Sequence, residues 1–117
     1  MCIRDSGKTA LLAAEAALGG ATVTANEVVP ARAELVRSAL GAVAGDTEVW
    51  ERDGREIGET DSESFDRILI DAPCTGLGAL RRRPEARWRR TPADLGALGP
   101  LQRDLLASAL DLSLIHI

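Results

Sequence analysis

Apolar and polar positions along the chain follow two rhythms. Lys8–Leu18 (KTALLAAEAAL) is rich in Ala and Leu and stops at Gly19-Gly20, which predicts a helix with a glycine end. Ala21–Asn26 (ATVTAN) carries β-branched residues and predicts a short strand. Pro30 suits a first helical position, because its missing N–H would be unpaired there anyway. From it, Leu35, Val36, Ala39, Leu40 and Val43 fall on one helical face. Thr47–Glu51 predicts a strand, Asp53-Gly54 a turn, and the polar, acidic stretch Glu56–Ser64 a surface loop. Arg67–Ile70 (RILI) is a brief apolar run between Asp66 and Asp71, the pattern of a buried parallel strand. A Gly- and Pro-bearing loop and an arginine-rich stretch follow. Thr91-Pro92 then predicts an N-cap and first helical residue, and Leu101–Leu110 (LQRDLLASAL) a further helix opened by Pro100. The order helix–strand–helix–strand–strand–helix implies an α/β class with a mostly parallel sheet. There is no internal repeat and no low-complexity linker.

At 117 residues the chain has room for one small domain. An apolar content of 45% permits a core, and only 3% aromatic residues means that Ala, Leu and Val must fill most of it. No apolar run approaches a membrane span and no signal peptide is evident, so a cytoplasmic location is expected. The two cysteines, Cys2 and Cys74, make no disulfide framework and stand in no metal-ligand spacing, so no metal is expected.

Charge changes this picture. The formal net charge of −4 does not describe a generally basic nucleic-acid binder. Between Arg81 and Arg90, however, six arginines meet a single acid, Glu85, while the rest of the chain holds 8 basic and 17 acidic residues. That asymmetry points to an anionic partner. The two ends also differ from the interior. Residues 1–6 (MCIRDS) and 112–117 (LSLIHI) hold the sole Met, the sole His and half of the six Ile. Residues 1–6 and 113–117 are expected to be foreign, of the kind left by translated sequencing adapters, and are set aside from the fold.

In open α/β sheets ligands bind beyond the carboxyl ends of the strands. Three acids take such places: Glu27 after the first predicted strand, Asp53 after the second and Asp71 after the third. Glu27 suits a ribose, since one carboxylate accepts from two hydroxyls. Each acid also has an ordinary role. Glu27 lies near the positive end of the next helix, Asp53 is a common turn residue before glycine, and Asp71 can simply end a strand. Their joint placement favours a site. Gly7-Lys8-Thr9 matches the close of a phosphate-binding loop, but the glycine required five positions earlier is Cys2 and no strand precedes it.

The most informative stretch runs Asp71-Ala72-Pro73-Cys74-Thr75-Gly76-Leu77-Gly78 and on through Arg81-Arg82-Arg83-Pro84-Glu85 to Trp88. It resembles the Sun family of bacterial ribosomal RNA (cytosine-5) methyltransferases. That family carries DAPC, a Gly-containing loop, paired arginines, Pro-Glu or Pro-Asp, and a tryptophan. Its pattern continues into a helix with a Leu-Gln pair, matched by Leu101-Gln102, and Gly7-Lys8-Thr9 is similar to the tail of its cofactor loop. The resemblance covers about 7–112. It implies a Rossmann-like class I methyltransferase fold, incomplete here, with S-adenosyl-L-methionine as cofactor and ribosomal RNA as partner.

Carried over, Gly7 and Lys8 would border the methionine end of the cofactor, Glu27 would hold its ribose (many relatives have Asp there) and Asp53 would lie beside its adenine. Asp71 would contact cofactor or the cytosine edge, where a carboxylate can accept from the exocyclic amine. C5 of cytosine is a poor nucleophile until a thiolate adds to C6. The resemblance gives that task to a later Thr-Cys-Ser motif, absent from this sequence, and gives Cys74 the release of product. The sequence as it stands is therefore expected not to catalyse. Away from this motif, Cys74 would be an ordinary buried thiol, Arg81–Arg83 a solvated charge run and Trp88 a core residue. Within it, the arginines suit phosphate contacts and Trp88 suits base stacking. Two other readings stay open: a fragment of a P-loop nucleotide triphosphatase, and a non-catalytic RNA-binding module using the arginine segment.

Overall fold

The structure, a computed structural model, describes residues 3–43, 45–76, 81–82 and 84–113. The chain divides into two compact units, Met1–Glu56 and Ile57–Ile117.

In the first unit, α1 (Ile3–Gly19) ends at the glycine pair as its composition predicts. Gly20 takes φ +71°, and the Ala21 N–H reaches back to the Ala16 carbonyl at 2.9 Å, closing the last turn. The helix begins at Ile3 rather than Lys8, so Gly7-Lys8-Thr9 lie within it and not at the mouth of a loop. One interior glycine costs only about 1 kcal/mol, too little to stop a helix already propagating on both sides.

The strands β1 (Val23–Asn26) and β2 (Thr47–Trp50) pair in parallel, with Val23 opposite Thr47 and Asn26 opposite Trp50. A parallel pair needs a crossover, and α2 (Pro30–Leu40) supplies it, with Pro30 in its first turn. Its buried face is Ala33, Val36 and Leu40, continued by the partly buried Val43, whereas Leu35 is 42% exposed. The predicted face was thus rotated. Ala33, Val36 and Leu40 form an i, i+3, i+7 row on the buried side, and the bulkier Leu35 lies off it toward solvent. Ala13 of α1 packs with Val36 and Leu40 over Ala25 and Val49 of the strands. Arg37 ties α2 to the chain beyond β2 through a 2.6 Å bond to Glu51.

The second unit departs further from expectation. The acidic stretch read as a loop contains a one-turn helix, α3 (Ile57–Thr60), with Ile57 and Gly58 buried. It forms because Gly58 meets α5 (Pro92–Leu112) at backbone distance and donates its N–H to the buried Ser108 Oγ at 2.9 Å. The helix α5 is continuous through Pro100, where two helices were predicted. Proline removes one intrahelical bond and costs roughly 3 kcal/mol. Against that stand the Asp94 carboxylate accepting from the Thr91 N–H at 2.8 Å and the burial of Ser108, Ala109 and Leu112. The chain after α3 then satisfies the end of α5: Glu63 N–H donates to the Asp111 carbonyl, and Ser64 and Phe65 N–H both donate to that of Leu112.

Arg67–Ile70, predicted as a buried strand, is irregular, and Leu69 is 66% exposed. A run this short makes a parallel strand only when neighbours supply its ladder and cover its faces. Among the described residues 67–70 have neither. A short helix, α4 (Ala86–Arg89), precedes α5.

Candidate functional site

The carboxyl ends of β1 and β2 lie side by side and bring two of the three acids to one edge. The ladder is prolonged there. Glu27 N–H donates to the Trp50 carbonyl at 3.0 Å. Beyond it, the Asn26 side chain imitates a strand: its Nδ2 donates to the Arg52 carbonyl at 2.9 Å and its Oδ1 accepts from the Arg52 N–H at 3.1 Å. Asn26 therefore holds the segment leading to Asp53 in register with the segment leading to Glu27. Arg52 in turn stacks over the Trp50 ring, 5.0 Å from its centroid.

Glu27 Oε1 accepts from the Val29 N–H at 2.9 Å, at the start of α2. The side chain is thereby oriented by the helix that follows, and among the described residues Oε2 stays open for a hydroxyl donor. Asp53 is engaged more fully. Its Oδ1 accepts from the Arg55 N–H and Nε at 3.0 Å each, and its Oδ2 from Arg55 Nε at 3.1 Å and Nη2 at 2.5 Å. The Arg55 guanidinium, helped by the Arg55 backbone N–H, holds the Asp53 carboxyl down at about 2. Contact with an adenine amine would have to compete with this clasp.

Asp71 was expected at the end of a strand. It follows the irregular stretch 67–70, which gains no strand ladder among the described residues, and it belongs to the second unit. Two residues on, Gln102 Nε2 of α5 donates to the Pro73 carbonyl at 2.7 Å, joining the DAPC loop to the Leu-Gln helix across 29 residues of sequence. Cys74 is a free, exposed thiol, so the buried-cysteine role does not apply to it here. Gly76 takes φ +74°, a conformation that suits glycine.

Arg81 and Arg82 are exposed, as are Arg89 and Arg90; Arg83 lies outside the described residues. Trp88 on α4 is 84% exposed, which removes the core role for it in this chain. Gly7 and Lys8, expected in a cofactor loop, are exposed residues on α1 for the reason given above. Asn26, Arg55 and the contact of Gln102 were not foreseen from sequence. Arg55 had a signal in its spacing, since an Asp two residues ahead commonly accepts from the following backbone.

Residues 1–114 match the family model for 16S rRNA methyltransferase RsmB/F. A Mycobacterium tuberculosis protein named as a methyltransferase is 53% identical over 97% of this chain. Ribosomal RNA small subunit methyltransferase B of an Enterobacter species is 37% identical over 91%, and that of Pseudomonas putida 38% identical over 90%. In each case the chain spans 24% of the relative, about a quarter of its length.

Proposed function

The chain belongs to the RsmB/F family of 16S rRNA methyltransferases, and from that membership we propose that it forms part of the catalytic domain of an enzyme transferring a methyl group from S-adenosylmethionine to C5 of a cytosine in small-subunit ribosomal RNA. The observation that carries the reading is the exposed thiol of Cys74 inside the Asp71–Trp88 block. The domain part is residues 7–112, in a Rossmann-like class I fold. The parallel β1–α2–β2 unit with acids beyond its strand ends supports that architecture.

The residues fit the cofactor at Glu27, whose Oε2 can accept from a ribose hydroxyl while Oε1 stays on Val29. Asp53 would lie beside the adenine, Gly7 and Lys8 near the methionine end, and Asp71 toward cofactor or the cytosine edge. When bound, the cofactor supplies an electrophilic methyl group. The cytosine is activated by a second cysteine, in the Thr-Cys-Ser motif of the family, whose thiolate adds to C6. Cys74 serves the closing step, in which the C5 proton is removed, the C5–C6 double bond re-forms and the thiolate leaves C6. Arg81, Arg82 and Arg83 bind phosphates and Trp88 stacks on a base. The enzyme works in the cytoplasm with its RNA; no helix among the described residues is long and apolar enough to cross a membrane.

The nucleotide triphosphatase reading is disfavoured by the family match over residues 1–114 and by Cys2 standing where a phosphate-binding loop needs its first glycine. The experiment is methyl transfer to ribosomal RNA by the full-length enzyme and its Cys74→Ala variant, resolved on a denaturing gel with labelled RNA. The variant should trap RNA covalently on the second cysteine. A folded, cofactor-binding variant with no adduct would assign Cys74 another role, and a full-length protein that crosslinks RNA but never methylates it would be a passive binder.

A further inference from the structure

We propose that Gln102 is a positioning residue for Cys74: from the middle of α5 it sets the peptide plane that delivers the thiol. The inference rests on the reading of Cys74 as the release cysteine. The Pro73 carbonyl and the Cys74 nitrogen are two ends of one rigid amide. The proline ring fixes φ of residue 73, which leaves its ψ as the soft dihedral before that plane. The 2.7 Å bond from Gln102 Nε2 to the Pro73 oxygen fixes where the plane faces, and so where the Cys74 Cα starts. It is short for an N–H···O bond. The amide must present its nitrogen here, because a carbonyl can only accept.

The need for such a tether is local. Residues 67–76 have no regular secondary structure, Cys74 is exposed, and Gly76, two residues on, takes a positive φ. The tether's base, by contrast, is firm. Gln102 stands on a 21-residue helix held at its start by Asp94 and packed near its end through Ser108, Ala109 and Leu112. The arrangement needs a donor at glutamine's reach. Asparagine is one methylene shorter, and an ionised glutamate, although isosteric, has nothing to donate.

The test uses the full-length enzyme with labelled RNA and compares Gln102→Ala, Gln102→Glu and Cys74→Ala for adduct formation, adduct release, cofactor affinity and melting temperature. Gln102→Ala should form the adduct at the normal rate and release it roughly three- to tenfold more slowly, the range one neutral hydrogen bond supports. Gln102→Glu should show the same defect at neutral pH. Its release, relative to the unaltered enzyme, should recover as the pH falls toward the ordinary glutamate value of about 4.3, where the carboxyl regains a proton to donate. Should Gln102→Ala fail to fold, the isosteric Gln102→Glu carries the test alone. If Cys74→Ala accumulates adduct but both Gln102 variants release it normally, the positioning role is overturned and the reading of Cys74 stands. Equal losses of formation and release with a lowered melting temperature would reduce Gln102 to a structural residue. If Cys74→Ala itself accumulates nothing, the reading of Cys74 fails and this proposal falls with it.

Discussion

Replacing Gly58 by alanine adds one methyl group where α3 touches α5. A Cβ there would collide with the Ser108 carbonyl oxygen and come to 3.0 Å from both the Ser108 carbonyl carbon and Asp111 Cβ. The obstacle is helix backbone, which cannot swing aside as a long side chain would, so α3 must move away from α5. Overpacking of this kind costs about 1–3 kcal/mol. Movement also stretches the buried 2.9 Å bond from the Gly58 N–H to Ser108 Oγ, worth about 1 kcal/mol. The alanine returns up to about 1 kcal/mol in helix propensity, so a net destabilisation of about 1–3 kcal/mol is expected. Gly96→Ala is the control. It lies on α5 with nothing within 4 Å of its would-be Cβ, and should be neutral or stabilising by up to about 1 kcal/mol. Denaturant midpoints of the full-length protein at constant m-value read both changes. Equal stability of Gly58→Ala and the unaltered protein, or equal losses in the two variants, would refute the close-approach argument.

Other consequences follow from the same geometry. Asp53 is held at about 2 by Arg55, below its ordinary 3.8. Its contribution to stability is therefore complete above about pH 4 and is lost as the pH falls toward 2. The pair is partly exposed, so the loss should be about 0.5–1 kcal/mol, and Arg55→Ala should remove that part of the acid dependence of the denaturant midpoint. Glu27→Ala in the full-length enzyme should weaken S-adenosylmethionine binding roughly tenfold or more by calorimetry, the scale of a hydrogen bond to a charged group; unchanged affinity would take Glu27 out of the site. Replacing Arg81, Arg82 and Arg83 should flatten the dependence of RNA affinity on salt with each arginine lost, because fewer counterions are released on binding. An intact affinity and slope would leave the cluster a solvated face.

What could be read in advance was local chemistry. Glycine at 19 and 20 stops α1 whatever surrounds it, Pro30 opens α2, and Thr91-Pro92 opens α5. The edge of β1 and β2 was legible for a similar reason: polar residues right after short β-branched runs mark the ends of strands. The missed features each depend on a distant partner. Helix α3 exists in an acidic stretch because a residue without Cβ faces Ser108, 50 positions along the chain. Apolar character alone could not make a strand of Arg67–Ile70, since its ladder belongs to neighbours. Leu35 was assigned inward by its hydrophobicity, while the smaller Ala33 takes the buried place.

The candidate site repeats this division. Position after a strand picked out Glu27 and Asp53, but it did not show that each carboxylate is already spoken for by a backbone N–H two residues later, or that Arg55 closes over the second. These local bonds orient the acids at little cost, since the donors would otherwise face water. They also make the two acids unequal. Glu27 keeps an oxygen free for a neutral hydroxyl, whereas Asp53 can take a new donor only by loosening a charged clasp. In the proposed site, ribose recognition through Glu27 would therefore disturb less than adenine recognition through Asp53, for which Arg55 would have to yield. Because engaging Asp53 would give back part of the Arg55 clasp, binding of such a ligand at this edge should depend more on the ribose hydroxyls than on the base.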